Sequence, residues 1–573
     1  MPTRQLASAS LQCCGLPAAW ADQQAWTVLD TEFRDGSRFL ETWAAWGADP
    51  RRSRMLHYVA IATRAISFVS NGVLAQELTA QCDDLESGFR RILLEHGAVS
   101  LTLCIGPVEA MLGEHVFLAD TLYGSVPSTK WAAQLFARRC RRGARFCLSL
   151  PSTGIAGDES TQQPATLLRG AGFQLDTPAD STSTCNGLFD PQWEIPMRRN
   201  PARIAAPIPA RCAIIGAGIA GAGVAHAMAL RGWQVTVIDQ EAAPARGASS
   251  LPAGLAVPHV SADESPRSRI TRRGIRLMAQ HASRLLEKGQ DWDPSGVLER
   301  RPDGSTRLHP HAAWVKPHRL VQAWLAREGI TFVGNTKIAT LQRSEGLWSL
   351  LDMQGQEIGK FEVVVVANAM GCATLLKNCD HMDQPSYADV LDKMRALQAI
   401  HGTLSHGRYQ EAIPDLPAMP VNGNGCFIPH VPDGEGEQWC AGSTFEPDQL
   451  AAADLWGQHA SNMGRLQHLL PANGHELAQT LDRGPISLWS STRCVTHDRL
   501  PLVGPVGDDT HDGLWLCIGM GARGLSFAAL CAELLVARLC AEPMPVEFSL
   551  SRSLDANRVR RKRKGRDSAH PAG

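Results

Sequence analysis

The 16 cysteines include no Cys-x-x-Cys pair, which argues against zinc ribbons and thioredoxin-type redox sites. They read as free thiols of a reducing compartment, and no metal site is expected. No apolar run reaches the length of a membrane-spanning helix; the best, 363–376, is too short and is interrupted by Asn368. Residues 1–20 lack the apolar core of a signal peptide, so a cytoplasmic protein with no membrane partner is expected. No repeat of 20–50 residues is visible, against solenoids and propellers. Charge of one sign is also missing. Lys and Arg number 56 against 57 Asp and Glu, and a formal net charge of -1 argues at first sight against a polyanion partner.

That balance is an average over unequal parts. Seven of the nine residues from Arg558 to Arg566 are basic, so the rest of the chain carries an acidic excess. The net charge therefore says nothing against RNA, and the basic block itself suits phosphates.

A length of 573 residues with 44% hydrophobic and 20% charged residues implies a globular chain of two domains or more. Pro191, Pro196, Pro201, Pro207 and Pro209 cannot continue a helix or a central strand, so a linker is expected over 188–210. Before it, strand-like runs at 27–29, 56–61, 99–105, 116–118 and 145–150 alternate with helical stretches, implying a parallel sheet covered by helices. After it, a second α/β unit opens at 212–215, and 395–490 reads as shorter strands with Gly/Pro turns. The expected division is 1–187, the linker 188–210, 211–557 and a basic tail 558–573, all of α/β class.

The clearest motif follows the linker. A short apolar strand runs into G-x-G-x-x-G at Gly216, Gly218 and Gly221, with Ala217, Ile219 and Ala220 between them. The first glycine permits the tight turn, the second a close approach to a pyrophosphate, and the third close helix–strand packing. A helix over 224–230 and a strand over 234–238 follow, ending in Asp239 and Gln240, where a carboxylate suits ribose hydroxyls. Two later segments point to the same ligand: an apolar strand ending near Ala367, and a strand–glycine-loop–helix junction at Gly521, Ala522, Arg523, Gly524 and Leu525. A nicotinamide dehydrogenase has no need of this late element; a flavoprotein closing over its ring does.

These residues resemble the glycine oxidase/D-amino acid oxidase family of FAD enzymes. The resemblance extends to the small-residue loop around Ala248, Ser249 and Gly254, which implies contact with the flavin, and places Arg523 and Gly524 at the flavin's pyrimidine end. From Arg493 the chain reads R-x-x-T-x-D-x-x-P-x-x-G, and the resemblance implies that Arg493 holds a substrate carboxylate. A guanidinium grips a carboxylate through two parallel hydrogen bonds.

With that half recognised, segments at 16–20, 56–59, 88–91, 99–103, 117–120 and 170–173, with Trp131, resemble the MnmC family of bifunctional tRNA 5-methylaminomethyl-2-thiouridine biosynthesis proteins. In that family an S-adenosylmethionine (SAM) methyltransferase precedes the FAD oxidoreductase. The resemblance implies an inserted antiparallel substrate sheet, and tRNA, SAM and dioxygen as partners. It implies removal of the carboxymethyl arm from a wobble uridine by oxidation, hydrolysis of the imine and loss of glyoxylate, then methylation of the freed amine. The SAM motif is degenerate: where the family has E-x-G-x-G-x-G, this chain has Asp30, Glu32, Arg34 and Gly36. The acids expected to bind SAM after the second and third strands fall on Ala62 and Pro107. Only Asp120 matches a family acid, that of the catalytic loop, so impaired methylation is expected. Trp489 and Trp515 are candidate base-stacking residues. A monomer is favoured. The competing readings are a small-molecule glycine- or sarcosine-type amine oxidase and a non-enzymatic tRNA scaffold.

Overall fold

A computed structural model describes residues 9–558 except 65, 67–71, 83–84, 151–163, 177–183, 195–206, 381–386, 414, 448–452 and 508–511. Pro196, Pro201 and the basic residues 560–566 lie outside the described residues.

The first half is an eight-stranded sheet in the spatial order Gly88–Leu94, Val99–Ile105, Met55–Ala62, Ala25–Asp30, Ala119–Ser125, Cys140–Ser149, Thr184–Phe189, Phe173–Leu175. Its five central strands, from Val99–Ile105 to Cys140–Ser149, are parallel. Met55–Ala62 is buried at every position, as expected of a strand covered on both faces. Two expectations need correction. The run 116–118 precedes its strand, which begins at Ala119, because the apolar Phe117 and Leu118 pack as a buried lead-in. Leu188 and Phe189, placed in the linker, pair with Arg145 and Phe173, so proline density overstated the linker by two residues.

The second half is built on a six-stranded sheet: Ile330–Val333, Gln234–Ile238, Arg211–Ile215, Val363–Val366, Leu514–Ile518 and Leu502–Pro505. The three segments singled out as approaching one ligand are thus adjacent strands, with Arg211–Ile215 beside Val363–Val366 and that beside Leu514–Ile518. A seven-stranded, largely antiparallel sheet carries the region after 395, and its last strand, Ile486–Val495, bears Arg493. Arg558, assigned to the tail, is docked on the body instead: its Nε and Nη2 donate to the two oxygens of Asp498 at 3.0 and 2.8 Å.

The two halves meet through buried polar contacts. The Arg231 guanidinium lies between Glu533 (3.1 Å) and Glu542 (2.8 Å), and His57 Nε2 stands 3.4 Å from Glu542. Burial alone would raise both carboxyls, but Arg231 outweighs it and holds them below the usual carboxylate range. Arg91 donates to the Pro543 carbonyl and, at 2.8 Å, to Ser100 Oγ. Glu547 Oε1 accepts from Phe89 N and from Arg273. Among the described residues, no helix is long and apolar enough to cross a membrane.

Candidate functional site

At the carboxyl ends of the second sheet's parallel strands lies a cavity of about 890 Å³. This is the end at which α/β sheets bind ligands. The three glycines divide the work as their spacing implies. Gly216 has φ +109°, and a Cβ there would meet the Ala367 carbonyl at 2.7 Å. At Gly221 a Cβ would fall 1.9 Å from the Gly216 oxygen, so only glycine lets the helix Ile219–Leu230 sit on its strand. At Gly218 the nearest atom is Ser249 Oγ at 3.5 Å, leaving room at the cavity wall. The Asp239 carboxylate is braced by the N–H groups of Ala217 (2.6 Å) and Glu241 (2.9 Å) while lining the cavity.

Of the sequence-predicted cofactor residues, Gly216, Gly218, Ile219, Ala220, Asp239, Gln240, Ala248, Ser249, Gly254, Ala367, Gly521, Ala522, Arg523, Gly524 and Leu525 line this one cavity. Ala217 and Gly221 are not in its wall; they act on Asp239 and on packing. A cavity of this size with a braced carboxylate and open backbone at Gly218 suits an adenine dinucleotide such as FAD.

Arg493 reaches the same cavity from the antiparallel sheet. It is 7% exposed, donates through Nη1 to the Thr444 carbonyl at 3.1 Å and through Nη2 to Ser443 Oγ, and forms no ion pair with a carboxylate among the described residues. Burial lowers its pKa to about 10. A buried guanidinium without a counter-ion among the described residues is costly to maintain, and such a group can receive an anion. Ser443, Thr444 and Gly402 belong to this site and were missed from sequence. A Cβ at Gly402 would lie 2.3 Å from Arg493 Nη1, so that glycine clears the guanidinium's place. A glycine within the strand Gln398–Arg408 was the available signal. Trp489 lines the cavity and donates to Ser250 Oγ at 2.8 Å. Trp515, its companion candidate, is fully buried in the strand Leu514–Ile518 and stacks no base, because an interior strand has no solvent face.

The first half is different. Its strand order reverses between Ala25–Asp30 and Ala119–Ser125, so a ligand crevice belongs at their carboxyl ends. There the Asp30 carboxylate is already engaged by Tyr58 OH (2.8 Å), Arg38 Nη1 (2.9 Å) and Glu32 N (3.0 Å). Glu32, in place of a family glycine, accepts from Ser149 Oγ at 3.0 Å and pairs with Arg34, which replaces another. Ala62 ends its strand buried, and Pro107 precedes the helix Val108–Gly113. Asp120 corrects a prediction. Beside Thr27 at the amino end of its strand, it accepts from Thr27 N (2.9 Å) and pairs with Arg141 (2.7 Å), at the opposite edge from the crevice. Motif spacing from Trp131 put it on a loop after the strand. The strand instead begins at Ala119 and brings Gly124 and Ser125 to the crevice.

Comparison with known proteins covers both halves. A family model described as FAD dependent oxidoreductase (DAO) matches residues 211–299 and 279–538. The tRNA 5-methylaminomethyl-2-thiouridine biosynthesis bifunctional protein MnmC of Albidiferax ferrireducens is 42% identical, over 97% of this chain and 96% of its own. The protein of the same name from Cupriavidus necator is 30% identical, over 95% and 92%. The crystal structure of glycine oxidase from Geobacillus kaustophilus aligns with 61% of this chain and 99% of its own, at 18% identity and TM-score 0.49. The chain therefore belongs to the MnmC family, an oxidoreductase of the FAD-dependent DAO type fused behind a methyltransferase-type half.

Proposed function

We propose that this protein modifies the wobble uridine of tRNA in the cytoplasm, removing the carboxymethyl group of 5-carboxymethylaminomethyl-2-thiouridine to leave 5-aminomethyl-2-thiouridine. The observation that carries the reading is Arg493, a buried cation with no ion pair among the described residues, lining the same cavity as the glycine motif. The modified arm is an N-substituted glycine, so its carboxylate is the anion that Arg493 receives. Gly216, Gly218, Asp239, Ser249 and the loop 521–525 would hold FAD, which when bound supplies a two-electron oxidant for the carbon–nitrogen bond. The protein's part is orientation. Arg493, steadied by Ser443 and Thr444, fixes the carboxylate, and that fixes which carbon–hydrogen bond faces the cofactor. The apolar walls favour a neutral amine. The oxidised arm is an imine, whose hydrolysis releases glyoxylate and the primary amine.

The methyltransferase-type half is proposed to be impaired. Asp30, Glu32, Arg34 and Arg38 bond to one another and to Tyr58 where the family motif leaves glycines for SAM. The domain limits 1–187 and 211–557 stay part of the proposal, with the first extended to 189.

The test is to incubate the purified holoenzyme with tRNA bearing the carboxymethylaminomethyl group, with and without SAM, followed by nucleoside mass spectrometry. Accumulation of the aminomethyl nucleoside under both conditions is expected. Full methylation with SAM refutes the impairment, and turnover of free glycine with unchanged tRNA refutes the substrate.

A further inference from the structure

Beside the oxidase cavity, Arg267, Arg499 and the cavity-lining Arg523 lie close enough to act on one another's charge, and none forms an ion pair among the described residues. Thr444, whose carbonyl steadies Arg493, is followed by Phe445, a ring left 41% exposed. The exposed Arg499 places its guanidinium carbon 5.9 Å from the centre of that ring. Arg267 Nη2 donates to His259 Nε2 at 2.6 Å, and His259 is two residues from Val257, which lines the cavity and accepts from Arg523 Nη1 at 3.1 Å.

None of Arg267, Arg499 and Arg523 forms an ion pair among the described residues. Two nearby carboxylates are already engaged. Asp498 is taken by two N–H groups of Arg558, and Glu299 by His309 at 2.9 Å and Arg301 at 4.0 Å. Burial, and then the neighbouring guanidinium groups, hold Arg267 and Arg523 below their ordinary pKa. Burial and the same arginines lower His259 to about 4, so at neutral pH its Nε2 is a lone-pair acceptor and adds no charge. Like charges are thus assembled with only the more distant Glu299 acting against them at Arg523, a costly arrangement unless an anion completes it.

We propose that Phe445, Arg499 and Arg267 form a platform for single-stranded RNA beside the target nucleotide, the ring stacking on a neighbouring base and the two guanidinium groups binding backbone phosphates. This rests on the tRNA reading above and adds to it where the strand lies. A free phosphate has no use for the exposed ring, and one phenyl group offers a membrane too little apolar surface. An aromatic face next to arginines is the recurring arrangement for unstacked nucleotides. Arg523 lies deeper, on the flavin side, and contributes field rather than contact.

The test uses the flavin-loaded enzyme and a fluorescent anticodon stem–loop carrying the carboxymethylaminomethyl uridine. Affinity is measured across a salt series for the wild type, Phe445→Ala and the double variant Arg267→Ala/Arg499→Ala. Loss of two phosphate contacts lowers the slope of log K against log salt by about 1.4. Phe445→Ala weakens binding about tenfold with the slope kept. Flavin content and melting temperature stay at wild-type values in both. Unchanged affinity and slope in both variants overturn the platform even if the wild type modifies tRNA. A wild type that binds no RNA overturns platform and substrate together. An enzyme that binds RNA through these residues yet releases no glyoxylate supports the platform and overturns only the reaction.

Discussion

Arg493→Met removes the clamp and separates its role in function from its role in stability. The ordinary guanidinium pKa of 12.5 falls to about 10 through burial. At 1.36 kcal/mol per unit, the buried charge costs the fold ~3 kcal/mol. The sign is fixed by the direction. Below pH 10 the group is charged in both folded and unfolded chains and the penalty is present in full; it fades as pH rises through the folded value. Methionine fills comparable space without charge, but leaves the buried Thr444 carbonyl without its donor, at ~1–3 kcal/mol, while the half-buried Ser443 hydroxyl keeps access to solvent. The balance runs from about zero to ~2 kcal/mol in favour of the variant. Activity moves the other way. Two charge-assisted hydrogen bonds to a carboxylate are worth ~1.5–3 kcal/mol each, so kcat/KM falls by a factor of ~10² to 10⁴. The assays are calorimetric melting of the flavin-loaded protein and glyoxylate release from tRNA. Melting several degrees below wild type, or retained turnover, refutes the reasoning: the first means that Arg493 is answered by a counter-ion, the second that it does not hold the substrate carboxylate.

Two glycine variants separate cofactor space from packing space. Gly221→Ala meets backbone at 1.9 Å and should yield little soluble protein, whereas Gly218→Ala, 3.5 Å from its nearest neighbour, should fold with an intact melting transition but purify with less flavin absorbance. At the junction of the halves, Arg231→Met strands Glu533 and Glu542 against each other. A loss of ~3–5 kcal/mol in a denaturant titration at pH 7 is expected, smaller at acid pH where the freed carboxyls take up protons.

The oxidase site was largely legible because each of its parts is a local pattern. Strand, glycine turn, helix and terminal acid occur in order from Arg211 to Asp239, and the loop 521–525 repeats the junction. What escaped has no local pattern. Gly402, Ser443 and Thr444 matter only because the strand Gln398–Arg408 pairs on one side with Ile486–Val495, with Gly402 and His401 opposite Ser491 and Thr492, and on the other with Glu437–Gly442, whose end carries Ser443 and Thr444. Asp120 went wrong for a related reason. In a parallel sheet the two ends of one strand belong to different worlds, and residue spacing from a downstream tryptophan does not say which end an acid occupies. Trp515 shows the same limit, since an indole that lines a cavity and one that fills a core are the same letter.

The contacts made by residues 542–549 have an outcome for how this chain is able to change. Glu542, Pro543, Glu547 and Ser549 reach back to His57, Arg91, Phe89 and Glu114, and all of these lie away from the crevice beside Asp30. A substitution in the crevice leaves those contacts intact, while deletion of the half would expose Glu542 and orphan the groups that bind it. The crevice and the seam therefore use separate residues of one sheet, since Arg91 and Phe89 sit on the edge strand Gly88–Leu94, three strands away from Ala25–Asp30. Were the first half to lose SAM binding, as proposed, these contacts would still hold it in place as a lining for the enzyme behind it.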